Sequence, residues 1–409
     1  MRRIVHIGLG NFHRAHQVWW TGAVAGTGEA WEICSYTGRR PDLATTLPAQ
    51  GGRYTLICRG PDGDAYELIT ALTEAVDGRD VEHFARRLAD PATAIVTLTV
   101  TEPGYHLRPG GTLDLDSTPI RADREAVASG GTAVTPPGRL LLGLMARQRA
   151  DAGPLAVVPC DNLPANGAWL RAALLDLAGG GPLADWIADN VSFVDTSVDR
   201  ITPRATADDI AAVAVATGFA DQAPVVAEPY RDWVLAGEFP GGRPAWERAG
   251  ARFVTDIGPW ATRKLYLLNG AHSLLAYEGQ LRGHTTIAEA FGDPDCAAQV
   301  ERWWAEVTPL VGLPGLDAYH AELRRRFANP AIAHRLTQVA QDAVAKLQVR
   351  VAEPALRMPA RGGAARILAA WLKQSGRHSV QAGLAELDPA LAEDRDFIAH
   401  VHSELRELP

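Results

Sequence analysis

The sequence predicts an α/β domain with a parallel sheet, followed by an all-α domain. Three observations carry this reading. Short apolar, β-branched runs alternate with helix-like stretches through the first half, as in a parallel sheet covered on both faces. Beyond about residue 256 those runs fade and helical periodicity takes over, punctuated by Pro314, Pro330, Pro354 and Pro359. A glycine pair, Gly8 and Gly10, separates the first apolar run from a helix-like segment. The expected domains are residues 1–255 and 256–409.

The elements follow in order. Arg3–Gly8 and Trp31–Tyr36 read as the first two strands, and Ala94–Thr101, rich in Val and Thr, as a central one. Leu155–Cys160 and Ser192–Thr196 are two more. Helices are expected over 79–89 and 167–178, and a hairpin or loop insertion over Leu107–Leu113. In the second half the period predicts helices at Thr262–Tyr277, Asp295–Leu310, Leu316–Ala328, Ala331–Val349 and Gly363–Gln374, with shorter ones near Val380 and Leu391.

Composition narrows the class. The chain has 409 residues, 47% apolar and 22% charged, enough for a large core. Its net charge of −8 and lack of a long basic run argue against nucleic acid. No apolar run reaches the roughly eighteen residues of a membrane span. The opening MRRIVHIGLG runs straight into a strand without a signal-peptide core. The expectation is a cytoplasmic protein, monomeric or a small homo-oligomer. Four separated cysteines without C-x-x-C, and twelve histidines without H-E-x-x-H, predict no metal.

In a dinucleotide fold the first glycine of the fingerprint permits a tight turn, and the second lets the backbone approach a pyrophosphate. Gly8 and Gly10 occupy these positions, while His13 stands at the third. A bare G-x-G fits an ordinary strand–helix turn equally well. The second strand ends Tyr36-Thr37-Gly38-Arg39-Arg40, with Asp42 beyond. Two arginines and no acid at the tip leave NADP use open beside NAD.

Only three of the 40 basic residues are lysines: Lys264, Lys346 and Lys373. A lysine can lose its proton in a protein and an arginine cannot. Lys264 opens the run KLYLLNGAHSLLAY. On an α-helix, Asn269 lies about 140° and His272 about 80° from Lys264, so all three can share a side. A neutral lysine amine can take a hydroxyl proton, an asparagine N–H can hold the oxyanion and a histidine can fix a neighbouring hydroxyl. The alternative is a surface cation beside hydrogen-bonded packing residues.

Asn162, in Cys160-Asp161-Asn162-Leu163-Pro164, follows a strand end and is a second oxyanion candidate; alternatively Asp161 or Asn166 caps the next helix. Asp199 is either a ligand for substrate hydroxyls or the ion-pair partner of Arg200. The pairs Trp19-Trp20 and Trp303-Trp304 read as core or interface. Arg324-Arg325-Arg326 reads as a solvated face with one arginine able to bind an anion. No tyrosine stands four residues before any lysine, which removes the Tyr-x-x-x-Lys arrangement of short-chain dehydrogenases.

At these residues the chain resembles the mannitol dehydrogenase family of polyol-specific long-chain dehydrogenases and reductases. IVHIGLGNFHRAHQ, TVTEPGYH, PCDNLPANG, FVDTSVDRITPR, KLYLLNGAHSLLAY and FANPAIAHRLTQVAQD are similar to its motifs, in the family's order. The resemblance implies a Rossmann-type N-terminal domain, a helical substrate domain, an active site between them and metal-independent hydride transfer with NAD(P). By the same resemblance, Gly8, Gly10, Asn11, Phe12, Thr101 and Glu102 would bind cofactor. Lys264 would be the general base, Asn162 and Asn269 the oxyanion donors, and His272, Asp199 and Lys346 contacts for substrate.

The implied substrates are a sugar alcohol or an aldonate and its keto form. His334-Arg335-Leu336-Thr337-Gln338 is more similar to the hexuronate reductases than to the mannitol 2-dehydrogenases, which favours D-mannonate/D-fructuronate over mannitol/fructose. A carboxylate substrate needs a cation, for which Lys346, Arg326 and Arg350 are candidates. Ala261 replaces a family acid, and Ala343-Val344-Ala345 and Gln348 alter the surroundings of Lys346. From another class, a catalytically silent nucleotide-binding module is the rival, against which Lys264, Asn269 and His272 argue together.

Overall fold

The apolar runs of the first half become strands. The computed structural model describes residues 1–108 and 111–409, apart from the side chain of Glu102. Its strands are β1 (Arg2–Ile7), β2 (Trp31–Tyr36), β3 (Tyr54–Gly60), β4 (Gly63–Ile69), β5 (Glu74–Val76), β6 (Thr93–Leu98), β7 (Leu155–Pro159), β8 (Val191–Phe193), β9 (Asp195–Asp199), β10 (Val225–Ala227), β11 (Asp232–Ala236) and β12 (Arg252–Phe253). By contacts the chain divides into two units, Met1–Arg59 with Asp64–Ile257 and Gly60–Gly63 with Gly258–Pro409.

The first unit holds a six-stranded sheet in the order β5-β2-β1-β6-β7-β8, with every pair parallel. This is the doubly wound order of a Rossmann fold, with the chain reversing between β1 and β6. Side chains alternate across it. Ile4, Ile33, Ile95 and Val158 face one apolar layer with Trp20, Trp233 and Trp246, while Val5, Val96, Leu98 and Val157 face another with Leu140, Leu144 and Leu170. Each such fully buried side chain contributes roughly 1.5–3 kcal/mol.

Two expectations are corrected here. The run Ser192–Thr196 splits at Val194: β8 completes the parallel sheet, and β9 pairs antiparallel with β11 in a second, three-stranded sheet. β6 stops at Leu98, short of Thr101. The edge strand β5 is three residues long, too short for a periodicity signal. Leu107 and Leu113 do bridge as an antiparallel pair.

The second unit is helical. The helices Ala271–Leu281, Pro294–Val307, Gly362–Gln374 and Arg395–Glu407 pack together. Inside, Arg366 donates to both Glu278 carboxylate oxygens at 2.9 and 2.6 Å, with Glu404 on its other side at 3.3 Å. The helix expected over Ala331–Val349 is broken into Leu336–Val339 and Ala343–Leu347, then a π-helical segment, Gln348–Ala352. Asp342 sits between at φ 54°, a left-handed conformation that cannot continue a right-handed helix.

Candidate active site

The turn after β1 is shaped by backbone proximity. The Gly8 and Leu9 N–H groups donate to Tyr36 O at 3.0 and 2.8 Å, closing the turn onto the end of β2. Gly8 has φ +110°, and a Cβ there would lie 2.3 Å from Thr99 O, so only glycine fits. A Cβ on Gly10 would meet nothing nearer than 3.6 Å, which leaves the open approach a pyrophosphate needs. Asn11 and Phe12 begin the following short helix, Asn11–Ala15; Asn11 Oδ1 accepts from Arg14 at 2.9 Å, and the Phe12 ring stacks on His16.

At the third fingerprint position, the His13 ring lies flat on His6 of β1, centroids 3.3 Å apart. Both rings are fully buried, and all four nitrogens have partners: Thr97 and Thr99 for His6, Gln17 and Ser35 for His13. Burial pushes His6 down to about 3; burial, helped by the neighbouring His6, holds His13 well below the ordinary imidazole range. Two neutral rings thus replace the close glycine contact between helix and strand. At the tip of β2, Arg39, Arg40 and Asp42 are exposed.

The loop after β7 presents Asn162 from pinned neighbours. The Tyr105 hydroxyl donates to the Asp161 carboxylate, whose other oxygen accepts from Leu163 N–H at 3.3 Å. The Asn166 amide donates to Pro159 O and Thr196 Oγ1, both at 3.1 Å, and accepts from Thr196 N–H at 2.8 Å. Asn162 itself is exposed. Asp161 and Asn166 do not cap the next helix: Asp195 of β9 does, accepting from Gly167 N–H at 2.8 Å and Ala168 N–H at 3.2 Å. Thr101 lies exposed before a 3-10 turn, Glu102–Tyr105, and the Glu102 side chain falls outside the described residues.

Asp199 ends β9, buried and opposite Asp232 of β11. The expected alternative of an Asp199–Arg200 ion pair is corrected: the Arg200 guanidinium donates to the carbonyls of Ala15 and Glu228. Among the described residues one group with metal-ligand chemistry, Cys34, Glu74 and His83, has its donor atoms within 4.8 Å of one another. It forms a hydrogen-bonded network. His83 Nδ1 lies 2.7 Å from Tyr36 Oη, His83 Nε2 lies 3.1 Å from Glu74, and Arg87 donates to the other Glu74 oxygen at 2.8 Å. The network ties the helix Val81–Ala89 to the sheet edge.

In the second unit, Lys264 opens a π-helical segment, Lys264–Gly270, continuous with the helices Gly258–Arg263 and Ala271–Leu281. This corrects the α-helical wheel. A π-turn closes i→i+5, which carries Asn269 round toward the side of Lys264. Both side chains are half-buried, whereas His272 is 7% exposed. Its ring packs 4.9 Å from Phe327 and edge-on to His334 at 5.1 Å. Burial holds His272 well below its ordinary range, and His334, Arg326, Arg350 and Lys264 push the same way. Burial and Arg326 likewise lower His334, whose buried Nδ1 has no hydrogen-bond partner among the described residues.

The arginine run divides as its helix turns. Arg324 and Arg325 are exposed and pair with Glu301 and Glu322, while half-buried Arg326 is the arginine of the run whose charge lowers the proton affinity of both histidines. Lys346 directs its ammonium to Val339 O at 3.3 Å, with Asp342 at 4.0 Å. Trp19, Trp20, Trp303 and Trp304 are all buried. Sequence reasoning missed Tyr105, the Asp195 cap and the surroundings of His334, because each depends on residues distant in the chain.

A Rossmann unit with an open glycine turn, followed by a helical unit with a lysine at a π-turn, defines the class of two-unit dinucleotide-fold proteins. Comparison with known proteins places it more narrowly. Residues 2–248 match the mannitol dehydrogenase Rossmann domain and residues 256–389 the mannitol dehydrogenase C-terminal domain. The chain belongs to the mannitol dehydrogenase family, whose members include polyol and aldonate dehydrogenases. It is 36% identical to D-mannonate oxidoreductase of Escherichia coli, covering 96% of this chain and 84% of that one. It is 37% identical to D-arabinitol 4-dehydrogenase of Ralstonia nicotianae, covering 88% and 79%. A solved structure of Pseudomonas fluorescens mannitol 2-dehydrogenase, a ternary complex with NAD and D-mannitol, superposes with a TM-score of 0.85 at 31% identity, covering 99% of this chain and 91% of that one. Among the described residues no helix is long and apolar enough to cross a membrane.

Proposed function

We propose that this chain is an NAD-dependent, metal-independent secondary-alcohol dehydrogenase that interconverts D-mannonate and D-fructuronate. The carrying observation is the pair of permanent cations near His272: Arg326 and Arg350 both lower the proton affinity of one buried imidazole. Such a set suits a substrate with a carboxylate more than a neutral polyol, because charge-assisted hydrogen bonds to a carboxylate are about twice as strong as neutral ones.

NAD, when bound, supplies the hydride acceptor; Gly8 and Gly10 leave room for its pyrophosphate, with Asn11, Phe12, Thr101 and Glu102 flanking. The chain's own residues manage the proton and the oxygen. The Lys264 amine, neutral when it acts, takes the proton of the reacting hydroxyl. The Asn162 and Asn269 side-chain N–H groups donate to the oxygen as its charge develops. His272, kept neutral, and Asp199 hold neighbouring hydroxyls. Arg326 and Arg350 hold the carboxylate, with Lys346 as a further substrate contact. Ala261 offers no acid before Lys264, so the proton leaves by another route.

The test compares D-mannonate with D-mannitol, each with NAD and with NADP, by the rate of reduced-nicotinamide formation. Faster turnover of mannonate with NAD is expected. Equal or faster turnover of mannitol overturns the aldonate assignment and makes the chain a neutral-polyol dehydrogenase. Cofactor binding without turnover on a wide polyol and aldonate panel makes it a silent binding module.

A further inference from the structure

The π-turn that begins at Lys264 has an unusual support. Two consecutive tryptophans of the helix Pro294–Val307 donate their indole N–H groups to two consecutive carbonyls of the turn. Trp303 Nε1 lies 2.8 Å from Tyr266 O, and Trp304 Nε1 lies 2.8 Å from Leu267 O. Both indoles are buried, at 0% and 1% exposure. Gly270 ends the same turn, and a Cβ there would come within 2.6 Å of Trp303 Nε1. The glycine therefore admits the indole.

A π-turn is rare because its wide i→i+5 ring is a poorer arrangement than the α-helical one. It persists where something outside the helix satisfies its backbone, and buried carbonyls need donors. Here the donors come from one neighbouring helix, as an adjacent pair matched to an adjacent pair. Removing them favours relaxation toward α-helical spacing. That relaxation rotates Lys264 relative to Asn269 and to His272 on the following helix. The π segment Gln348–Ala352, which carries Arg350, also packs against this turn.

We propose that Trp303 and Trp304 are positioning residues for the reaction: their indole N–H groups lock the Lys264–Gly270 segment in its π form and so set the placement of the lysine amine against Asn269 and His272. The proposal rests on the assignment of Lys264 as the base. Neither tryptophan touches the reacting atoms; each acts through the turn.

The experiment uses Trp303→Phe and Trp304→Phe in the full chain, which remove an N–H and keep an aromatic ring, together with Gly270→Ala, which displaces the Trp303 indole without removing it. Oxidation of the better substrate of D-mannonate and D-mannitol is followed with NAD across neutral to alkaline pH. NAD affinity is measured by calorimetry and folding by circular dichroism and thermal melts. For each variant kcat is expected to fall about tenfold or more, and the midpoint of its rise with pH to move by about half a unit or more. NAD affinity is expected to stay within about twofold.

A folded Trp304→Phe with unchanged kcat and unchanged pH midpoint overturns the proposal. So does a loss of activity that follows the melting temperature while the pH midpoint stays put, because that marks a packing role alone. Lys264→Ala separates the underlying reading: if it retains turnover, the base assignment fails whatever the tryptophan variants do. If it abolishes turnover while the tryptophan variants leave kcat and the midpoint unmoved, only the positioning role fails.

Discussion

The nucleotide end of the first unit and the lysine end of the second solve opposite problems. Around Gly8 the groups are mostly neutral, backbone N–H donors, two stacked imidazoles and two threonine hydroxyls, with one buried cation, Arg14, donating to Gly10 O and Asn11. Around His272 they are cationic: a lysine and two arginines against buried rings. Both places keep histidines uncharged, by burial alone in His6 and by burial with cations nearby in His272. The difference teaches that a dinucleotide turn is built from shape, which tolerates no side chain at Gly8. The proposed acid–base centre is built from charge, which tolerates neighbours but depends on their sign.

If that division holds, variants in the two regions must fail in different ways. Lys264→Ala is expected to lower kcat by about 10²–10⁴-fold while NAD affinity holds; a mild loss removes the base assignment. Asn162→Ala and Asn269→Ala are each expected to cost about 10²–10³ in kcat, measured with the same substrate. Arg350→Gln and Arg326→Gln are expected to lower kcat/KM for D-mannonate by about 10–100-fold and to leave D-mannitol nearly unaffected. Equal losses on both substrates would contradict carboxylate recognition.

Two smaller effects probe the nucleotide end. Gly8→Ala is expected to destabilise the first unit by about 1–3 kcal/mol and to weaken NAD binding, read by calorimetry. The stacked histidines make stability depend on pH. His6 is pushed down to about 3 from an ordinary 6.5, so below about 6.5 the unfolded chain binds a proton that the folded one refuses. The stability is present above that pH and is lost as pH falls, at up to about 1.4 kcal/mol per pH unit for each neutral ring. Thermal melts between neutral pH and the mildly acidic range check this. A melting temperature independent of pH over that window contradicts it.

The fold class was legible because its signals are local. Buried parallel strands read as apolar runs, as β1, β2 and β7 do, and helices announce themselves by period and by bounding prolines. Family membership was equally legible, since its motifs stand as unbroken strings. What escaped were features with short or mixed signals: the three-residue β5, the split of β8 from β9 at Val194, and the break at Asp342. At the candidate site, the closeness of Lys264, Asn269 and His272 in the chain was visible, but the α-helical wheel misjudged their angle.

Chain order alone dictated the alternating sheet, the helical second half, the glycine turn and the lysine-bearing run, because propensity and periodicity act within a few residues. The π form of that run came from elsewhere. It requires two indole donors some forty residues away and a glycine that lets one of them approach. The same holds for Asp195 capping a helix on another segment, for the buried stack of His6 on His13, and for the charge of Arg326 rather than Arg324 acting on His272. Hydrogen bonds and charges act through space, so their partners are settled only once packing has brought distant segments together.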